Sequence, residues 1–125
     1  MGYLGGIEEK TLTNEAFRRV LHTAKNCQLV VMSLLPGEDM GEEVHRLDQF
    51  VRFESGSGTL VMDGRHAAVH DCIAVIVPAG TRHNITNTGT VPLKLYTIYA
   101  TPQLRDGVVH STRADARADA RARSS

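Results

Sequence analysis

Two short segments of the chain hold side chains whose types and spacing could do chemistry. The first runs Gly41-Glu42-Glu43-Val44-His45-Arg46-Leu47-Asp48-Gln49, with Gly56 following seven positions after Gln49. The second is Pro78-Ala79-Gly80-Thr81-Arg82-His83-Asn84-Ile85-Thr86-Asn87. A neutral imidazole is the commonest protein ligand for a transition metal. His45 and His83 lie far apart in sequence, so only folding can bring them together. Glu43 and His45 are two apart, which in extended backbone turns both to one side. Gln49, Val51 and Phe53 share a face by the same parity, polar at one end and apolar beyond it. A polar rim over an apolar interior is the usual layout of a site at a barrel mouth.

The elements that must position these residues are strands. Short β-rich runs alternate with Gly, Pro and Asn punctuation, the pattern of an all-β barrel or sandwich. Cys27 to Leu35 stops at Pro36-Gly37, and Leu47 to Glu54 stops at Ser55-Gly56-Ser57-Gly58. Thr59 to Met62 leads into Asp63-Gly64, the strongest hairpin signal in the chain, with His66 to His70 as the return strand. Cys72 to Val77 is a continuous apolar run ending at Pro78-Ala79-Gly80, and His83 opens a further strand. Leu93 to Ala100 closes at Thr101-Pro102, with Tyr96 and Tyr99 on opposite faces, so one of the two can face the interior. This spacing predicts eight or more strands in one barrel. Asn14 to Ala24 reads equally as a helix capped by Asn14 and as an edge strand. Ser111 to Ser125 repeats Arg-Ala-Asp-Ala with no apolar face, which predicts a frayed or disordered tail.

Composition narrows the function classes. The chain has 125 residues, one domain's worth, with 14 basic residues against 14 acidic ones and no basic stripe of the kind nucleic acid requires. No apolar run approaches the length of a transmembrane helix. The first residues lack the pattern of a secretory signal, and the expected compartment is the cytoplasm. Cys27 and Cys72 stand alone, which predicts two reduced, buried thiols. His22, His66, His70 and His110 have no ligand-like context. Asp48 is expected to face outward beside Arg46 and Arg52.

The two segments resemble the paired motifs of the cupin superfamily. Pro78, Gly80, His83 and Asn87 match the second motif in full. The first is matched in spacing through Gly56, with His45 at the second His position. Two departures stand out: Glu43 occupies the first His position, and Gln49 occupies the position of a Glu. The resemblance spans about residues 17–102 and is closest to small single-domain bacterial cupins. It implies a double-stranded β-helix of the jelly-roll type, with an arm over residues 1–16 and a tail over 103–125. It further implies one divalent transition metal in the barrel mouth, held by His45, Gln49, His83 and Glu43. Two N, one anionic O and one neutral O suit Mn, Fe, Co, Ni or Zn without choosing among them. For Glu43 three roles stay open: ligand, base, or solvated strand end. Cupins of this size resemble sugar isomerases, sugar lyases and oxygenases. The implied functions are therefore a metal-dependent isomerase or lyase acting on a small sugar or hydroxy-carbonyl compound, a binding module without catalysis, or an Fe-dependent dioxygenase. A metal-free barrel serving dimerisation is a further reading. The expected partners are a small-molecule ligand and a second copy of the chain, with Phe17 to Leu21 supplying an edge strand for the dimer.

Overall fold

The computed structural model describes residues 2–124. Positions 1 and 125, the outer ends of the expected arm and tail, lie outside the described residues. Twelve elements follow in order: α1 (Ile7–Thr13), β1 (Arg18–Thr23), β2 (Gln28–Leu34), β3 (Glu43–Val44), β4 (Asp48–Ser55), β5 (Ser57–Met62), β6 (Arg65–His70), β7 (Ala74–Val77), β8 (Arg82–Thr86), β9 (Leu93–Ala100), β10 (Val109–His110) and α2 (Arg113–Ser124). Pairing is antiparallel throughout. One sheet has six strands in the order β10-β1-β2-β9-β4-β7, and the other has four in the order β3-β8-β5-β6. The two sheets form the all-β barrel that the strand spacing predicts, of the jelly-roll type that the cupin resemblance implies.

Period-two burial builds the core. β4 buries Gln49, Val51 and Phe53, and β9 buries Leu93, Leu95, Thr97 and Tyr99, each at alternate positions. They meet Val30, Met32 and Leu34 of β2 and Leu60 and Ile85 of the facing sheet. Each such large side chain removed from water contributes roughly 1.5–3 kcal/mol. The outward face of the six-stranded sheet carries Phe50 and Tyr96, whose rings lie 6.1 Å apart. Tyr99 is thus the inward tyrosine of the pair.

Turns fall where backbone chemistry allows. Asp63 and Gly64 both have positive φ, 49° and 79°, as a two-residue hairpin between right-twisted strands demands. Gly56 has φ +90°, and a Cβ there would lie 2.6 Å from the Pro92 carbonyl oxygen, so only glycine fits.

Of the two readings of Asn14 to Ala24 the structure has the strand, with β1 covering Arg18–Thr23; the helix lies before it, with Asn14 at its C-cap rather than its N-cap. There Asn14 Oδ1 accepts from the Ala16 amide and Nδ2 donates to the Ala16 carbonyl, fixing the turn into the strand. β10 pairs with β1 at Arg18 and Arg19, and Phe17 is buried in the core. Both cysteines are exposed free thiols. Each sits in a turn, Cys27 before β2 and Cys72 at φ +69° before β7, instead of within a buried run. β7 is itself an edge strand, and its Ile76 is 64% exposed.

The tail also departs from expectation. Arg113–Ser124 is a helix, α2, whose Ala116 is buried against the barrel core. Arg113 pairs with Asp39, and Asp119 accepts from His110 and from Arg105 at 2.8 Å each. A few polar anchors and one alanine replace the apolar stripe that a docked helix usually shows. Among the described residues no helix is long and apolar enough to cross a membrane.

Candidate functional site

The two motif segments are stitched to each other by backbone. Gly80 N–H donates to the His45 carbonyl at 2.8 Å, and Ala79 N–H donates to Asp48 Oδ1 at 2.9 Å. Asp48 therefore ties the two loops together, and Arg52 pairs with Glu54 instead. β3 and β8 pair in a register that sets Glu43 opposite His83. Gln49 lies one residue into β4, opposite Tyr99 of β9.

These contacts bring the predicted residues into one cluster at the barrel mouth. His45 and His83 are both buried, with ring centroids 5.2 Å apart. The Tyr99 ring meets His45 edge-on at 5.8 Å. His83 Nδ1 lies 2.9 Å from the Thr81 carbonyl oxygen. A carbonyl only accepts, so Nδ1 carries a proton there and Nε2 is the ring nitrogen left to ligate. His45 Nε2 lies 2.9 Å from Glu43 Oε2. Burial by itself would raise the Glu43 carboxyl pKa. The His45 hydrogen bond and the charges of His45, Arg18 and His83 outweigh it and hold Glu43 below the usual glutamate value.

Gln49 is the most informative member. Its Nε2 donates to Thr97 Oγ1 at 2.9 Å, and Thr97 Oγ1 donates to the Phe50 carbonyl at 2.8 Å. The threonine has one proton and spends it on Phe50, so Gln49 must present its NH2 there. The amide orientation is thereby fixed. Its other atom, Oε1, is buried with no hydrogen-bond partner among the described residues. Leaving such an acceptor unpaired costs about 1–3 kcal/mol. Asn87, by contrast, is fully used: Nδ2 donates to the Leu34 and Val91 carbonyls and Oδ1 accepts from the Gly89 amide. It fixes backbone on three sides.

This donor set fits a divalent transition metal in kind. It offers the Gln49 oxygen with an unfilled valence, His83 Nε2, and the His45–Glu43 pair. Among the described residues no three His, Cys, Asp or Glu side chains already form a ligating cluster. The set is completed by an amide, and His45 can ligate through Nε2 only by giving up its contact with Glu43. His66 and His70 lie exposed on β6, away from any such grouping.

Two cavities share Arg18, Glu43, Ala116 and Ala120 in their walls, and they meet the cluster at Glu43. One, of about 220 Å³, is lined by Arg18, Glu43, Tyr99, Gln103, His110, Ala116 and Ala120, among others. The second, of about 180 Å³, is lined by Phe17, Arg18, Met40, Glu43, Arg113 and Ala116, among others. α2 thus roofs the barrel mouth. Burial pushes the Tyr99 phenol pKa up, with Glu43 adding to the rise and Arg18 opposing it, so its hydroxyl stays protonated. Arg18, Thr97, His110 and α2 were not singled out by the motifs. For Arg18 the signal is strand parity with buried Val20, readable only once residues 18–23 are known to be extended.

Comparison with known proteins agrees with this architecture. Residues 30–99 match the Cupin domain family, a span that includes both motifs. The chain is 46% identical over 121 residues to YrkC of Bacillus subtilis (strain 168), covering 91% of this chain and 65% of that protein. It is 39% identical over 104 residues to L612 of Acanthamoeba polyphaga mimivirus, covering 78% of this chain and 64% of that protein. The chain therefore spans just under two thirds of these relatives' length. The crystal structure of BH2720 from Bacillus halodurans superposes with a TM-score of 0.90 at 47% identity, covering 93% of both chains. On the matched motifs, the strand order and these likenesses, the chain belongs to the cupin domain family.

Proposed function

We propose that the barrel mouth is a site for a small molecule, built on one divalent transition metal held by His45, Gln49 and His83 with Glu43 beside them. The observation that carries the reading is the buried Gln49 oxygen with no partner, in a residue whose orientation Thr97 has already fixed. A metal there would supply Lewis-acid polarisation of a carbonyl oxygen.

The chain's own residues supply the rest. Glu43 is held ionised and lines the cavity, so it is the group placed to accept a proton from a bound hydroxy-carbonyl compound. Tyr99 keeps its proton and can donate a hydrogen bond to the same ligand. Ala116 and Ala120 of α2 wall the cavities from one side. An isomerase or lyase step needs this pairing of one proton acceptor with one donor across a polarised carbonyl.

Elemental analysis of the wild-type chain beside a His45→Ala/His83→Ala double variant tests the reading. Near-stoichiometric Mn, Fe, Co, Ni or Zn, absent from the variant, is the expected result. Iron would direct the chemistry towards oxygenation. Wild-type protein that stays metal-free after refeeding with salts of all five metals would overturn the proposal. In Glu43→Gln, retained metal assigns Glu43 to proton transfer, and lost metal assigns it to the ligand set.

A further inference from the structure

Two guanidinium groups at the roofed mouth make no ion pair within the described residues: Arg117, which is exposed on α2, and Arg18, which is half-buried on β1 among acids that are all engaged. Glu43 bonds His45, Asp39 bonds Arg113 and Asn84, and Asp119 bonds His110 and Arg105. The Arg18 side chain makes no hydrogen bond among the described residues, and its Nε is buried without a partner. Its guanidinium carbon lies 5.5 Å from the centroid of the Phe17 ring, a stacking that limits the directions its fork can take. The same side chain lines both cavities under α2.

We infer that the mouth binds a small carboxylate, held through the Arg18 guanidinium. A guanidinium whose buried Nε–H has no partner can offer that N–H together with a neighbouring Nη–H to the two oxygens of a carboxylate, and such bidentate pairs are among the stronger hydrogen bonds. The size agrees: about 220 Å³ lies below the usual range for drug-sized ligands and suits an acid of a few heavy atoms. Tyr99 and Gln103 on the cavity wall bring polar groups for a hydroxyl or carbonyl elsewhere on the acid. This inference rests on the reading of the mouth as a small-molecule site, and it names the substrate class as hydroxy- or oxo-acids over neutral sugars.

The test is a titration of the whole chain, metal-loaded and EDTA-treated, with three acids and their amides: lactate against lactamide, pyruvate against pyruvamide, and malonate against malonamide. Calorimetry gives the affinity, and amide NMR shifts in β1 and α2 give the location. At least one acid is expected to bind about tenfold or more tightly than its amide. Arg18→Gln should erase that preference, and Arg18→Lys should keep part of it, with melting temperature and metal content unchanged in both. Acid preference that survives in Arg18→Gln would overturn the inference, as would binding that disappears with EDTA and ignores Arg18, since the carboxylate would then sit on the metal. Failure of all three acids in both forms of the protein would also overturn it. Acid binding through Arg18 in a chain that takes up no metal would support Arg18 while sinking the metal reading, so the two fail separately.

Discussion

β9 and α2 both wall the barrel mouth, and they are held there by opposite means. β9 lies between β2 and β4, and it buries Leu93, Leu95, Thr97 and Tyr99 down one face. α2 buries one alanine among its described side chains and is pinned by Arg113 to Asp39 and by Asp119 to His110 and Arg105. Apolar area is worth about 25 cal/mol per Å² wherever it is removed from water. Partly exposed ion pairs are worth about 0–1 kcal/mol each and weaken with salt. The wall that carries Tyr99 is therefore far more firmly held than the roof above it.

The comparison is broken most severely in the core. Phe53→Ala removes a fully buried ring and should cost about 3–5 kcal/mol, lowering the whole unfolding transition in thermal or urea melts. Gly56→Ala forces a Cβ against the Pro92 carbonyl at an unfavourable φ, and should cost about 1–3 kcal/mol in the same melts. In both variants α2 is expected to lose protection together with the barrel, since its docking surface goes too.

The roof responds differently. Ala116→Asp places a charge in its one buried contact and should cost less than about 2 kcal/mol overall. Hydrogen exchange should then show α2 amides freed while β9 amides stay protected. Equal loss in both would contradict the division drawn here.

Gln49→Met sharpens the comparison inside the wall itself. It removes one orphaned acceptor, costing about 1–3 kcal/mol, and one hydrogen bond, worth about 0.5–1.5 kcal/mol. The metal-free variant should melt at or above the wild-type temperature while taking up less metal. A large fall in melting temperature would mean that the Gln49 amide serves the fold rather than a ligand.

The smallest effect concerns pH. Burial would raise the Asp39 pKa, but hydrogen bonds from Asn84 and Arg113 and the charges of Arg113 and Arg117 hold it below its ordinary 3.8. A lowered folded value means that the stabilisation is complete above about pH 3.8 and is lost as pH falls through the folded value. Asp39→Asn should cost under about 1 kcal/mol at neutral pH and flatten that acid-side loss, read from melts across a pH series.

Strand parity made much of the site legible. Gln49 facing inward with Val51 and Phe53, and Glu43 on the same side as His45, both follow from a period of two. The stitching of the two motif loops through Asp48 and the Gly80 amide was not legible, because it depends on which loop passes which. Nor was α2. Its anchor Arg113 reaches Asp39, 74 positions earlier, and a single buried alanine leaves no periodic trace. The cysteines misled for a related reason: a thiol at a turn between strands reads in sequence as the start of the next apolar run.

The shortness of β3 has a mechanical consequence. β4 and β8, which carry Gln49 and His83, are each bonded to a neighbour on both sides, whereas β3 has two residues and is bonded on one side only. Three corners of the mouth are stiff or backbone-tied, with His45 held by the Gly80 amide, and the fourth rides on a compliant mount. If the mouth takes a guest as proposed, guests of different radius would be accommodated by displacement of Glu43, with the other three corners acting as a fixed gauge.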